Sequence, residues 1–322
     1  MNTSVLEIQD LCINYQTGHG TLQALRDINL AVPAGKIMGI VGESGCGKST
    51  LISAIIRLLA PNARVGKGSI LFKGDDLLSM SPEQMRSLRG DEISIVFQDP
   101  MTSLNPVLTI GRQMSDVQHR SGSSKNEKWA RSLNMLERVG IPDPETQLGR
   151  YPHRLSGGMR QRVAIAMALM AEPSLLIADE PTTALDATLE VQIIHLLQYL
   201  QRDFGCSILF ISHHLGVIAE LCDEVVVMYA GEVVESGGTR DVFLDPRHPY
   251  TQKLLECDPA RIPQSTRRLP VIEGSLPNLV NLPRGCIFKD RCAQRFARCD
   301  SEHPGLSGGH HKSACHLLDT AA

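Results

Sequence analysis

The chain has 322 residues, with 32 basic and 35 acidic side chains and a net charge of −3. That balance excludes the concentrated positive field of bulk nucleic-acid binding, and an aromatic content of 4% speaks against base-stacking platforms. The amino terminus carries acids and no apolar core, unlike a secretory signal, and the longest apolar run, residues 163–171, is too short to span a bilayer. Membrane contact is therefore expected only through a partner.

In chain order, residues 5–15 alternate as a strand that ends at Tyr15, and residues 25–32 form a second strand. Tyr15 is either an aromatic that stacks on an adenine ring or an ordinary strand tyrosine. After a turn at 33–36, an apolar strand at 36–41 runs into Gly42-Glu43-Ser44-Gly45-Cys46-Gly47-Lys48-Ser49-Thr50. This G-x-x-x-x-G-K-S pattern, followed by a helix expected over 49–59, reads as a phosphate-binding loop. Its glycines let successive N–H groups turn inward on phosphates, Lys48 reaches the terminal phosphates, and the Ser49 hydroxyl ligates Mg²⁺.

A short strand is expected at 70–72, a capped helix from Ser81-Pro82-Glu83-Gln84, and a strand at 93–97 that delivers Gln98. A carboxamide at that point suits both a metal ion and an attacking water. Residues 101–155 read as helical and loop-rich, with 121–128 polar and exposed and with Trp129, Leu133 and Leu136 as core. Ser156 caps a buried helix, and Gly157 and Gly158 bare backbone N–H groups at its positive end, a second anion site without a lysine.

The apolar strand at 174–178 ends in Asp179 and Glu180, at the sheet edge where open α/β folds bind ligands. Asp179 suits Mg²⁺, and Glu180 suits a general base for water. The strand at 208–212 ends in His213, placed to hold that water in line, and residues 225–235 read as a hairpin around Ala230-Gly231. Strands alternating with helices give an α/β fold with a largely parallel sheet.

Taken together, these motifs resemble the nucleotide-binding subunit of ABC transporters. Residues 42–49 look like Walker A, 175–179 like Walker B, and 155–159 like the signature sequence. Gln98 looks like the Q-loop, 184–186 like the D-loop, His213 like the switch histidine and Tyr15 like the A-loop aromatic. Two departures are Met159, where glutamine is frequent, and His214, where aspartate is usual.

The resemblance implies a P-loop NTPase fold of the ABC type, with a RecA-like core and antiparallel β and helical subdomains. It also implies ATP and Mg²⁺, with Ser44, Gly45, Cys46, Gly47, Lys48 and Thr50 around the phosphates and Ser49, Gln98 and Asp179 at the metal. The expected assembly is a head-to-tail dimer with ATP between Walker A of one subunit and Ser156-Gly157-Gly158 of the other, and with Asp186 making contact across it.

Residues 98–106, 160–162 and 248–251 are similar to the dipeptide/oligopeptide importer ATPases. That similarity implies a second, related ATPase subunit, two permeases, an extracytoplasmic solute-binding protein and a peripheral position on the cytoplasmic face of the membrane. Nickel or glutathione import is the alternative, with a soluble ABC ATPase of ribosomes or DNA repair behind it.

The expected division is a nucleotide-binding domain over 1–256, with a helical subdomain at about 99–170, and an extension over 257–322. Within the extension, Cys286, Cys292, Cys299 and Cys315 are separated by five, six and fifteen residues, unlike the paired CxxC of zinc ribbons. The spacing resembles the [4Fe–4S] segment of some peptide-importer ATPases, with zinc or unligated thiols as alternatives. His303, His310, His311 and His316 are expected at the surface.

Overall fold

The computed structural model describes residues 4–99, 103–183, 185–258 and 270–320. The chain divides into two compact units, Met1–Met80 with Phe210–Ala322, and Ser81–Leu209.

The first unit opens with β1 (Ser4–Thr17) and β2 (Gly20–Pro33), paired antiparallel. Alternating apolar residues put Leu6, Leu11, Ile13, Leu25, Ile28 and Val32 fully inside. Register shifts between Ile8 and Ile13 bend the ribbon, and Asp10 and Asp27 take positive φ values of 47° and 46° there. β3 (Ile37–Val41) is buried throughout. β4 (Ala63–Phe72) and β5 (Asp75–Asp76) complete a four-stranded antiparallel sheet in the order β2-β1-β4-β5. The sequence predicts only the last three residues of β4, because its first part is exposed and polar and shows no apolar alternation.

In the second unit, β6 (Ile93–Val96) and β7 (Leu175–Asp179) pair in parallel, from Ile93↔Leu175 to Val96↔Ala178. Around them stand helices with sequence-encoded starts. Pro82–Leu88 carries the expected Ser81/Gln84 capping box, and Lys125–Arg138 carries another from Ser124 and Glu127. That helix begins inside the stretch expected to be merely polar. Its Leu136 is buried, but Trp129 is exposed and Met135 and Ser132 take the inward positions, which corrects the expected core.

β8 (Ser207–Ile211) leads back into the first unit. There β9 (Glu224–Tyr229) lies parallel to β3, and both strands are continuous apolar runs, as strands covered on both faces require. β9 turns at Ala230 (φ 48°) and Gly231 (φ 87°) into the antiparallel β10 (Glu232–Gly238). Two successive positive φ values mark a turn whose twist matches the hairpin. β11 (Lys312–Ser313) pairs with β10, so the first unit combines parallel and antiparallel strands.

Candidate functional site

In the first unit, residues 42–47 leave the buried strand β3 and enter the helix Lys48–Ile55. Gly42, Gly45 and Gly47 have φ values of 154°, 82° and 108°, a path that L side chains resist. A Cβ on Gly42 would stand 2.2 Å from the Met228 carbonyl oxygen, and one on Gly47 would stand 2.7 Å from a Leu25 methyl. The loop rests on the β9–β10 turn, where Gly231 N–H donates to the Cys46 carbonyl at 2.9 Å.

Lys48 is buried, and its Nζ donates to the carbonyls of Gly42 (2.7 Å) and Glu43 (3.2 Å). This ammonium is held inside the curl of the loop, the position from which a lysine serves a phosphate. Burial pushes the Cys46 thiol upward, so it packs as a neutral group. Ser44, Gly45 and Ser49 are exposed, Thr50 is half-buried, and the Tyr15 hydroxyl lies 3.4 Å from Thr50 Oγ1. The aromatic ring thus stands beside the start of the helix that leaves the loop.

The helix after the loop is shorter than expected. It ends at Ile55, and Arg57 takes φ 51° while its guanidinium donates to the Leu77 and Met80 carbonyls. His213 and His214 are exposed and edge-to-face, with ring centroids 4.4 Å apart, and His214 N–H donates to Ser212 Oγ.

In the second unit, β7 delivers Asp179 and Glu180, both half-buried. Glu180 takes φ 46°, a left-handed bend that frees consecutive side chains from the up-down alternation of a strand. Glu180 Oε2 accepts from the Thr183 hydroxyl at 3.1 Å and lies 3.5 Å from the Gln98 side-chain nitrogen. The structure therefore brings together Gln98 and Glu180, which are remote in sequence. Ser156 caps the helix Gly157–Leu169 by accepting the Met159 N–H, and Ser156 and Gly157 are exposed at its N-terminus.

Asp186 caps the helix Ala187–Phe204, accepting from Thr188 and Leu189 N–H at 3.0 Å each. The sequence reading did not assign that role. Pro100, Met101, Thr102 and Ala184, which belong to the expected motifs, lie outside the described residues.

The donors expected at Mg²⁺, from Ser49, Gln98 and Asp179, are all oxygen-bearing, the chemistry a hard divalent ion takes. In the C-terminal segment, Cys286 N–H donates to the Cys299 carbonyl at 2.9 Å. Burial lifts Cys286 to about 11 and also raises Cys292 and Cys315. Among the described residues no set of three or more His, Cys, Asp or Glu side chains is arranged to hold a metal ion. Two of the histidines expected at the surface are buried: His311 bonds Glu235 through Nε2 at 2.7 Å, and His316 faces the Glu302 carbonyl.

The ABC transporter family profile matches residues 25–183, and that of the oligopeptide/dipeptide transporter C-terminal region matches residues 234–299. The dipeptide transport ATP-binding protein DppD of Bacillus subtilis is 46% identical over 99% of this chain and 96% of its own length. The chain belongs to the ABC transporter family of ATP-binding proteins. This cassette is also 46% identical to the oligopeptide transport ATP-binding protein OppD of Salmonella typhimurium, over 93% of the chain and 89% of the relative.

Among solved structures, the ATP-binding cassette MJ0796, a dimer in a post-hydrolysis state with ADP and Pi, aligns with a TM-score of 0.65 at 28% identity. That alignment covers 73% of this chain and 99% of MJ0796. The cassette cbiO1 of Clostridium perfringens aligns at 0.66 and 33% identity, covering 75% of this chain and 91% of that one. The protein is thus an ABC-type ATPase with mixed α/β sheets.

The sequence assigned no individual role to Glu43, Tyr250 or Arg291. Glu43 N–H donates to the Tyr250 hydroxyl at 2.9 Å, and the Glu43 carboxylate pairs with Arg291 at 2.7 and 3.0 Å. No local pattern reports an ion pair between residues so far apart in the chain.

Proposed function

We propose that this cassette powers the import of dipeptides or oligopeptides across the cytoplasmic membrane, from the cytoplasmic face. The observation that carries the reading is 46% identity, over 93% or more of the chain, to dipeptide and oligopeptide transport ATP-binding proteins, together with a matching C-terminal region. The working unit is a head-to-tail dimer with a second, related ATPase, mounted on two permeases and served by an extracytoplasmic binding protein. Residues 1–256 act as the nucleotide-binding domain, with 99–170 as its helical arm, and 257–322 as an extension.

ATP enters by its phosphates. N–H groups of the Gly42–Ser49 loop surround them, and Lys48 exchanges its bonds to the Gly42 and Glu43 carbonyls for phosphate oxygens. Tyr15 takes the base. Ser49, Asp179 and Gln98 would hold Mg²⁺, which would supply positive charge against the phosphate oxygens. Glu180, oriented by Thr183 and close to Gln98, accepts a proton from water, and His213 holds that water in line. The exposed N-terminus at Ser156-Gly157 supports its meeting the γ-phosphate of the opposite subunit. Hydrolysis then releases that joint.

In the assembled transporter, Lys48→Ala is expected to abolish ATP-dependent peptide uptake. Glu180→Gln is expected to bind ATP but trap the closed dimer, seen as a stable dimer peak in ATP. Normal uptake with Lys48→Ala, or sustained turnover with Glu180→Gln, overturns these roles.

The extension is read as the seat of a [4Fe–4S] cluster on the spacing of Cys286, Cys292, Cys299 and Cys315 and its resemblance to peptide-importer extensions, although among the described residues no metal-holding set is formed. A cluster would supply the positive charge that holds buried cysteines as thiolates. Anaerobic purification should give a brown protein containing iron and sulfide. A colourless, zinc-loaded sample ends that reading.

A further inference from the structure

The phosphate loop of the first unit is gripped from outside by the C-terminal segment. Arg291 carries a side chain that is only 5% exposed. Its two terminal nitrogens reach both carboxylate oxygens of Glu43, at 2.7 and 3.0 Å. The remaining donors are also engaged: Nε with the Glu273 carbonyl at 2.9 Å and Nη2 with the Ile272 carbonyl at 2.8 Å. Nη1 also faces the Tyr229 hydroxyl at 3.4 Å, and the guanidinium lies 5.7 Å from the Tyr229 ring centroid. A planar fork fixed on this many sides is rigid in a way that a lysine is not.

Glu43 is the first residue of the turn through Ser44 and Gly45, which its carbonyl closes by accepting Cys46 N–H at 3.2 Å. Its N–H is tied to Tyr250, and its carbonyl accepts from both Cys46 N–H and Lys48 Nζ. Fixing the Glu43 side chain therefore fixes the peptide units that orient Lys48 and the N–H groups behind it.

We propose that Arg291 is a positioning residue for ATP binding, acting through Glu43 to hold the phosphate loop in its phosphate-accepting shape. The inference rests on the reading of residues 42–49 as the phosphate loop. It gives the extension a role in nucleotide affinity that does not depend on what its cysteines bind.

The test is equilibrium binding of a fluorescent ATP analogue to the purified full chain, with steady-state kinetics in the assembled transporter. Glu43→Gln and Arg291→Lys each keep side-chain bulk, and each is expected to weaken ATP binding about tenfold, because a displaced loop loses pre-paid orientation. KM should rise while kcat stays within about twofold, the pattern of lost ground-state binding. The double variant should be no worse than the poorer single, since both remove one interaction. Arg298→Ala, which breaks exposed pairs to Glu302 and Asp319 in the same segment, should leave affinity unchanged.

Single variants with wild-type affinity, additive losses in the double variant, or an equal loss in Arg298→Ala each overturn the proposal. Lys48→Ala separates the two levels. If it retains ATP, the phosphate-loop reading fails. If it loses ATP while Glu43→Gln binds normally, only the role of Arg291 fails.

Discussion

At Gly42 the backbone has φ 154°, and an added Cβ would stand 2.2 Å from the Met228 carbonyl oxygen. Backbone, unlike the end of a flexible side chain, has nowhere to go. Gly42→Ala must therefore displace either the loop or the tip of β9. ATP affinity is expected to fall at least about tenfold, roughly 1.4 kcal/mol, measured by equilibrium nucleotide binding. Wild-type affinity would show that the loop relaxes freely. Residue by residue, the groups of the loop were legible because a phosphate cradle needs particular residue types at particular spacings. Glu43 was not, since its work depends on Arg291, a residue that sequence distance hides. Asp186 was legible as a functional candidate, but its two bonds to Thr188 and Leu189 N–H are those of a helix cap.

At the scale of elements, capping chemistry carried the helix starts. Ser81, Ser124, Ser156 and Asp186 each accept a backbone N–H at the head of a helix. Removing the cap of Ala187–Phe204 with Asp186→Ala should cost about 1 kcal/mol of stability, read as a lower urea midpoint of the ATP-free chain. An unchanged midpoint would show that the two bonds to Thr188 and Leu189 N–H add nothing to stability. Helix ends were less legible. Apolar residues run on past Ile55 to Leu58 and Leu59, and only the left-handed turn at Arg57, held by the Leu77 and Met80 carbonyls, stops the helix. β4 was mostly missed because exposed strands owe their existence to ladder bonds with β1, which composition does not reveal.

At the scale of the whole molecule, the C-terminal segment is bound into the first unit by buried charge. Glu235, fully buried, accepts from Arg247 and His248 N–H and bonds His311 Nε2. Burial also pushes His248 down to about 3, so it stays neutral and its Nδ1 accepts the Tyr250 N–H. A second tie joins Glu232 to Arg26 and His303, each at 2.8 Å. Burial works to raise Glu232, but the bonds from His303 and Arg26 outweigh it and hold the carboxyl below 4.5. The bond to Glu232 raises His303 above 6.5.

The signs define a window. The His303 contribution is complete below 6.5 and is lost as pH rises through its raised value. The Glu232 contribution is present above 4.5 and is lost as pH falls through its lowered value. The stability gap between the native chain and His303→Gln should therefore be widest from pH 4.5 to 6.5 and shrink toward alkaline pH. Urea midpoints measured across that range check it, and a gap that does not vary with pH would sink it.

By itself the sequence determined the glycine-rich loop at 42–47, the acid-tipped strand β7, the helices capped by Ser81 and Ser156 and the family, because each depends on neighbours within a few residues. Tertiary structure alone decided that Gln98 faces Glu180, that His311 and His316 lie inside, and that Arg291 clasps Glu43. Those are contacts between segments whose meeting is settled by the packing of the core and leaves no periodic trace in the chain.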